Sequence, residues 1–179
     1  MKALSLAFLK FPKISSHLDT HTEQDKPHLV LKASHNFGIA VDTPQGLLVP
    51  VVRDVQSHSI ISLAREIHRI STLAKEGKLR PTDFQGATFT ISNIGSIRGS
   101  VVGPVIVEPM AGILAVGQVR AVPVFKRDET GVERVVKREE AILSWSADHR
   151  VIDGATVARC GRTVQQLLEN FELTSTTLK

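Results

Sequence analysis

The 179-residue sequence predicts one α+β domain, in which a mixed β-sheet is flanked by helices. Three features predict this fold. Short β-rich runs occur along most of the chain, a few segments have helical periodicity, and strands and helices do not alternate in a regular βαβ order. The length is enough for one domain with a substantial core and too short for two ordinary ones.

Two segments have the pattern of amphipathic helices. The first covers residues 59–77, where apolar residues recur on one face, Ser57 or Ser59 can cap the start and Gly77 can end it. The second runs from Ala155 to about Asn170 and carries an apolar stripe at Val157, Val164, Leu167 and Leu168.

The first residues allow two interpretations. The segment is basic and contains no acidic residue before Asp19, which is typical of a mitochondrial transit peptide. Leu4, Phe8 and Phe11 instead lie near helical spacing and precede Pro12, which predicts an ordinary helix. We favour the folded helix.

The remaining apolar runs predict strands and turns. A polar stretch at residues 17–27 is expected to be a loop or hairpin tip, and residues 127–131 a hairpin turn. Pro50 interrupts the run 47–52, so that strand should lie at an edge or contain a bulge. Strands are predicted at residues 29–33, 37–41, 47–52, 87–91, 113–119, 122–125, 132–136 and 141–145.

Composition argues against several classes of function. The net charge of +4 is spread without a long Lys/Arg block, and Tyr is absent, so a nucleic-acid partner is not expected. The sequence has no apolar run of the roughly 18 residues that suggest a membrane span. Cys160, the single cysteine, excludes an intrachain disulfide and a multi-cysteine zinc site, and it should be a core or half-buried residue. His17 and His21 have no third ligand nearby and are expected to be solvated, so no metal is predicted.

His149 is the first candidate for chemistry. It lies in an H-x-x-x-D-G sequence between a predicted strand and the last helix. A neutral imidazole has a pKa of about 6.5 and can take the proton from a thiol, which ionises near 8.5. The alternative is a simple turn in which Asp153 caps the helix. Arg150 can form an ion pair with Asp153 that steadies the loop, although a surface pair contributes little stability.

Ser92 is the second candidate. It follows a predicted strand and precedes Asn93-Ile94-Gly95. When a thiolate attacks a thioester, a tetrahedral oxyanion forms, and a hydroxyl donor aimed at it can lower the barrier by about 3 kcal/mol. The alternative is that Ser92 and Asn93 only shape a turn before Gly95.

Four segments together resemble one family. They lie in order along the chain, and the resemblance covers nearly all of it. The chain is similar to the catalytic domain of the acyltransferase core of 2-oxo acid dehydrogenase complexes, and within it to the branched-chain member. The segments are Ser34-His35-Asn36-Phe37-Gly38-Ile39-Ala40-Val41-Asp42-Thr43, Gly46-Leu47-Leu48-Val49-Pro50, Phe89-Thr90-Ile91-Ser92-Asn93-Ile94-Gly95 and Ser146-Ala147-Asp148-His149-Arg150-Val151-Ile152-Asp153-Gly154-Ala155.

The resemblance implies a dihydrolipoamide acyltransferase with a chloramphenicol acetyltransferase-like sandwich. It implies homotrimers that can assemble into a larger core, with each active site in a channel between two subunits. His149 matches the base that deprotonates the thiol of coenzyme A or dihydrolipoamide, and Ser92 matches the serine that stabilises the intermediate. Asp153 matches an aspartate that helps hold the site together. Asp42 and Gly117 match positions on the coenzyme A side of the channel, as does Ser92.

The resemblance also sets expectations for the rest of the protein. Residues 1–179 should be the catalytic domain without its first helix and strand, and without lipoyl or subunit-binding domains. The lipoyl group would come from another domain or chain, such as the lipoyl domain of a full-length relative, and coenzyme A would be a substrate. Family membership implies the mitochondrial matrix. Arg98, where the family has a small residue, puts coenzyme A affinity in question.

Two other functions remain open from the sequence. One is a non-catalytic, core-forming or regulatory fragment that assembles with a full-length relative. The other is an acetyltransferase acting on a small hydroxyl compound.

Overall fold

A computed structural model describes residues 1–20 and 26–172. It contains three α-helices and ten β-strands in the described residues, joined by short 3-10 turns and loops. The helices are α1 (Lys2–Lys10), α2 (Ile60–Lys75) and α3 (Gly154–Glu169). The strands are β1 (Ser16–Asp19), β2 (His28–Leu31), β3 (Phe37–Thr43), β4 (Gly46–Leu48), β5 (Val51–Val52), β6 (Phe89–Asn93), β7 (Gly112–Val116), β8 (Arg120–Arg127), β9 (Glu133–Glu140) and β10 (Leu143–Ala147).

The central sheet is mixed, as predicted. Its strand order is β10-β7-β6-β3-β4, and β5 also pairs with β3. The strands β3, β6 and β7 run parallel to one another, whereas β10 is antiparallel to β7, and β4 and β5 are antiparallel to β3. The run 47–52 is divided at Pro50 into β4 and β5, both at the edge of the sheet, because proline cannot donate a ladder hydrogen bond. The α+β prediction is confirmed.

One face of the sheet forms the core with the helices. The rings of Phe8, Phe37 and Phe89 meet edge to face, with centroids 4.9–6.0 Å apart. Ile70 of α2 and Val164 of α3 complete the same buried cluster. Such aromatic contacts contribute about 0.5–1.5 kcal/mol each beyond the area they bury.

The N-terminal segment is a folded helix. Leu4, Ala7 and Phe8 of α1 are buried in the core, and α1 ends at Lys10 just before the 3-10 turn that begins at Pro12. The interpretation of this segment as an ordinary helix is therefore confirmed.

The helix predicted over residues 59–77 is also confirmed, with its caps. Ser59 is the N-cap of α2 and accepts a hydrogen bond from the backbone N–H of Ser62 at 3.1 Å. Gly77 follows the helix with φ +66°, a left-handed conformation that glycine adopts without strain. The last helix begins at Gly154, one residue earlier than predicted, and Cys160 on it is fully buried.

Two hairpin-like strand pairs lie outside the central sheet. The pair β8–β9 is longer than predicted, and its register joins Arg120 to Glu140 and Arg127 to Glu133. In β1–β2, His17 pairs with Val30. The prediction of a solvated His17 in a loop is wrong, because this residue lies in a strand, is half-buried and has its Nε2 2.8 Å from the carbonyl oxygen of Ala87. Residues 21–25 of the predicted loop, with His21, lie outside the described residues.

Candidate active site

Ser92 lies near the carboxyl end of β6, in the middle of the sheet. It is in register with Ala40 of β3 on one side and with Ala115 of β7 on the other. Side chains alternate between the faces of a strand, so Ser92 points away from the face on which Ile91 packs against the core. Its hydroxyl is half-buried and makes no hydrogen bond within the described part of the chain.

The carboxyl ends of three parallel strands meet at one edge of the sheet, which we call the Ser92 edge. Asp42 lies two residues beyond Ala40 on β3 and therefore shares the face of Ser92. From the spacing of strands and residues, the two Cα atoms are about 8 Å apart. Gly117 follows the end of β7 at the same edge. The structure thus brings Ser92, Asp42 and Gly117 to one edge.

Gly117 is enclosed by backbone. A Cβ atom at this position would lie 2.1 Å from the carbonyl oxygen of Ser100 and 3.2 Å from that of Ile142. Its N–H donates to the same Ile142 carbonyl oxygen at 2.9 Å. Gly95, in the loop after Ser92, packs in turn against the backbone of Gly117. Gly117 therefore shapes the loop behind Ser92, and only glycine fits this site without movement of the backbone.

His149 lies at the opposite edge of the sheet, which we call the His149 edge. The strand β10 is antiparallel to its neighbour β7, so its last residue, Ala147, pairs with Gly112, the first residue of β7. His149 follows two residues later and is exposed. Its imidazole makes no hydrogen bond within the described residues.

Within one chain, Ser92 and His149 do not meet. Ser92 is in register with Ala115, which is in register with Ser144 of β10. From Ser144 to Ala147 the strand advances about 10 Å, and two strand spacings separate β10 from β6 by about 10 Å more. The Cα of Ser92 is therefore about 14 Å from that of Ala147, and His149 lies farther still.

The turn that carries His149 is held by an ion pair between its two neighbours. Arg150 Nη2 lies 2.7 Å from an oxygen of Asp148, and the Arg150 guanidinium holds the pKa of that carboxyl below its usual value. The predicted pairing of Arg150 with Asp153 is wrong. Asp148 lies in the turn itself and is nearer along the chain, whereas Asp153 is occupied at the start of α3.

Asp153 is the N-cap of α3. One carboxylate oxygen accepts from the backbone N–H of Thr156 at 2.8 Å, and the other accepts from the Thr156 hydroxyl at 2.8 Å. These two hydrogen bonds, the backbone one first, lower the pKa of Asp153. The capping role proposed from sequence is confirmed, and Asp153 fixes the end of the loop that carries His149.

A polar cleft of about 560 Å³ lies beside the His149 edge. Asp148 and Arg150 form one wall, and His17, Lys32, Glu108 and Met110 lie around the others. The cleft joins strand β1, the segment before β7 and the His149 turn. The wall of the cleft formed by the β1–β2 pair was not predicted from the sequence. This pair lies more than 100 positions before His149, and no periodic pattern indicates that it packs there.

Other kinds of site find little support in the described residues. Burial raises the pKa of the Cys160 thiol to about 12, which makes it a poor nucleophile. Within residues 1–20 and 26–172, no three His, Cys, Asp or Glu side chains are grouped as metal ligands. Across the same residues, no helix has the length and apolar character needed to cross a membrane.

Known proteins resemble this chain over almost all of its length. Residues 1–175 match the family model described as 2-oxoacid dehydrogenases acyltransferase (catalytic domain). The bovine lipoamide acyltransferase component of the mitochondrial branched-chain alpha-keto acid dehydrogenase complex is 45% identical over 95% of the chain. The dihydrolipoyllysine-residue acetyltransferase of the Bacillus subtilis pyruvate dehydrogenase complex is 38% identical over 97%. The chain spans 34% and 37% of the lengths of these two relatives.

Solved structures agree with the sequence comparison. The Azotobacter vinelandii dihydrolipoamide acetyltransferase matches with a TM-score of 0.85 and 34% identity, over 97% of this chain and 68% of that one. The cubic core of a pyruvate dehydrogenase complex matches with a TM-score of 0.85 and 35% identity, over the same shares of the two chains. This chain belongs to the 2-oxoacid dehydrogenase acyltransferase family and corresponds to its catalytic domain.

Proposed function

We propose that this chain transfers an acyl group between dihydrolipoamide and coenzyme A in a site shared by two subunits. The observation that carries this proposal is the placement of Ser92 and His149 at opposite edges of one sheet. Both side chains are free of hydrogen bonds within the described residues. A second copy that presents its His149 edge to the Ser92 edge of the first would bring the two groups together.

The chemistry follows from the two side chains. The neutral imidazole of His149 takes the proton of the acceptor thiol, and the thiolate sulfur attacks the thioester carbonyl carbon. The carbonyl π electrons move to oxygen, and the Ser92 hydroxyl donates a hydrogen bond to this oxyanion. When the intermediate collapses, the old carbon–sulfur bond breaks and the leaving thiolate takes the proton back from the His149 imidazolium. No metal ion is required in this sequence of steps.

The Ser92 edge is the proposed coenzyme A side. Asp42 shares the face of Ser92 there, and the loop that follows Ser92 packs directly on the backbone of Gly117. The lipoyl group would enter from the other side, carried by a lipoyl domain elsewhere in the protein or in another chain.

Asp153 is the proposed support for His149. The Azotobacter vinelandii structure belongs to a study of a serine, a histidine and an asparagine in the catalytic mechanism, with the last two four positions apart. His149 and Asp153 have the same spacing, with a carboxylate in place of the amide. Because Asp153 caps α3, it holds the chain end of the His149 loop at a fixed position.

The relatives suggest a branched acyl group and a large assembly. The branched-chain component from cattle is among the most similar relatives, and a matched structure is a cubic core. We propose a homotrimer as the unit that forms the shared sites, and a larger core built from it. The bovine and mouse relatives are mitochondrial, so the mitochondrial matrix is the proposed location.

The direct test measures acyl transfer from a branched acyl-coenzyme A to free dihydrolipoamide. The wild-type protein should be active, and His149→Ala should lose about 100-fold to 10,000-fold in kcat, because the thiol then has no positioned base. The matched control is His68→Ala, which removes an exposed histidine on α2 and should keep full activity. A folded wild-type oligomer without activity would refute the proposed reaction.

Mixed assemblies test whether the site is shared. Ser92→Ala and His149→Ala chains are co-expressed with different tags, and oligomers that carry both tags are purified. If each site takes Ser92 from one chain and His149 from its neighbour, every cyclic trimer that contains both variants regains one of its three sites, about one third of wild-type activity. Separately expressed variants keep only the residual activity that each has alone. A mixture as inactive as the separate variants, beside an active wild type, would show that the two residues do not act across subunits.

A further inference from the structure

The turn that carries His149 is closed by the side chain before it. Asp148 Oδ1 accepts a hydrogen bond from the backbone N–H of Arg150 at 3.0 Å. This is an Asx-turn, in which an aspartate side chain replaces a backbone carbonyl, and His149 is its central residue. The conformation of the His149 backbone is therefore set by the position of the Asp148 carboxylate.

The backbone of Asp148 is fixed to the body of the domain. Its N–H donates to the carbonyl oxygen of Ala111, next to β7, at 2.9 Å. Its carbonyl oxygen accepts from Val151 and Ile152 at 3.1 and 3.0 Å, and Ile152 is buried in the core. The base of the turn is thus rigid, and the orientation of His149 depends on how firmly the Asp148 side chain is held.

Arg150 holds that side chain in a fork. Its Nε lies 3.0 and 3.1 Å from the two carboxylate oxygens, and its Nη2 lies 2.7 Å from Oδ2. Bidentate arginine–carboxylate pairs add geometric specificity that a lysine cannot reproduce. The Asp148 side chain is only 16% exposed, whereas that of Arg150 is 65% exposed, so the guanidinium covers the carboxylate from the solvent side.

We propose that Asp148 and Arg150 form a positioning pair, in which the arginine fork locks the Asx-turn that aims the His149 imidazole and keeps its surroundings electrically neutral. The inference rests on the proposed function, since His149 acts as the base there. His149 has no hydrogen-bond partner of its own within the described residues, so in a single chain the turn sets the direction in which its side chain leaves the backbone. Neither Asp148 nor Arg150 is proposed to touch the substrate.

Substitution of either member of the pair changes the net charge next to His149 along the chain. The charged and titratable groups facing this turn are Glu108, which interacts with Arg150, and His17, Asp19 and Lys32 across the cleft. Asp148→Asn would leave the positive charge of Arg150 uncompensated, which lowers the pKa of His149. Arg150→Met would leave the negative charge of Asp148, which raises that pKa. The double variant restores neutrality.

The experiment compares Asp148→Asn, Arg150→Met, their double variant and Arg150→Lys. Kinetics of acyl transfer are measured against pH. Independently of activity, the rate at which diethyl pyrocarbonate modifies the neutral His149 ring is followed against pH by peptide mass spectrometry. The two single charge variants should shift the His149 pKa in opposite directions by roughly 0.3–0.5 pH units, the effect of a unit charge about 6–8 Å away in water-like surroundings.

Loss of positioning should appear in kcat rather than in KM. Removal of the fork should lower kcat on the order of tenfold to a hundredfold in the Met and double variants, with KM changed by less than about twofold. Arg150→Lys keeps the charge but loses the fork, so the pKa of His149 should stay while part of the kcat is lost.

A matched control exists in the β8–β9 turn. Asp128 Oδ1 accepts from the backbone N–H of Thr130 at 3.0 Å, and Asp128 Oδ2 lies 3.1 Å from Arg134 Nε. This is a second Asx-turn with an arginine partner, so Asp128→Asn should leave both kcat and the His149 pKa unchanged. Variants at Asp148 and Arg150 that behave like this control would overturn the proposal.

The outcomes separate the two proposals. A fall in kcat without opposite pKa shifts would also overturn the positioning pair, because it would point to general distortion of the loop. If the wild type transfers no acyl group but the His149 pKa moves in opposite directions, the pair stands and the proposed reaction fails.

Discussion

Gly117→Ala tests whether the loop behind Ser92 is held by backbone packing. The added Cβ would lie 2.1 Å from the Ser100 carbonyl oxygen, more than 1 Å short of ordinary van der Waals contact at 3.4 Å. The nearest atom is backbone, so either the loop or β7 must move. Overpacking of this kind costs about 1–3 kcal/mol, and loss of the hydrogen bond to Ile142 costs about 1 kcal/mol more. The free energy of unfolding should therefore fall by about 2–4 kcal/mol.

The assay is urea unfolding at one fixed protein concentration, because oligomerisation adds to apparent stability. The matched control is Gly103→Ala, since a Cβ there would meet nothing within 4 Å. Both glycine-to-alanine substitutions lower the conformational entropy of the unfolded chain by the same amount. The difference between their free energies of unfolding therefore measures the clash in the folded state. If Gly117→Ala unfolds at the same urea concentration as Gly103→Ala, the packing argument for the loop is refuted.

Three further predictions concern other residues. Burial lowers the pKa of His35 below 6.5, so the folded state binds fewer protons than the unfolded state. The stability that neutral His35 contributes is fully present above pH 6.5 and is lost as the pH falls through the folded pKa. Urea midpoints measured from pH 7.5 to 5 should therefore fall less steeply in His35→Gln than in the wild type. Asp153→Ala should lower the free energy of unfolding by about 0.5–2 kcal/mol, as should Ser59→Ala at the start of α2, because each removes an N-cap. Asp153→Asn keeps a capping oxygen and should be more stable than Asp153→Ala in urea unfolding. Equal stability of these two variants would show that Asp153 does not cap the helix. Cys160 should resist iodoacetamide at pH 8 in the folded protein and react in urea, and rapid labelling without urea would contradict its burial.

Local patterns predicted the helices well. The start of α2 was predictable because Ser59 precedes an apolar face of period 3.6, and Gly77 marks its end. The hairpin β8–β9 was predicted too short, because its outer residues are charged and exposed on both faces and show no alternation. Alternation of apolar and polar residues marks a strand with one buried face, so it does not show the length of a strand that is exposed on both faces.

The contacts of the candidate site were less predictable than its residues. Ser92, His149 and Asp153 could be named from motifs, but the partner of Arg150 could not. In the sequence, Asp148 and Asp153 are two and three residues from Arg150, and charge alone does not distinguish them. The distinction arises because Asp153 is occupied by the N–H and hydroxyl of Thr156 at the start of α3. That choice depends on where the helix begins, to within one residue.

The direction of one strand explains why the proposed site needs two chains. β6 and β7 are parallel, so the loops after Ser92 and Val116 leave the sheet at the same edge. β10 enters beside β7 in the opposite sense, and its carboxyl end therefore delivers His149 to the far edge. Had β10 been parallel to β7, His149 would have emerged beside Ser92, and a single chain could have held both groups. The antiparallel pairing removes that possibility, so a chain with this topology can use the two residues together only when a second chain supplies one of them.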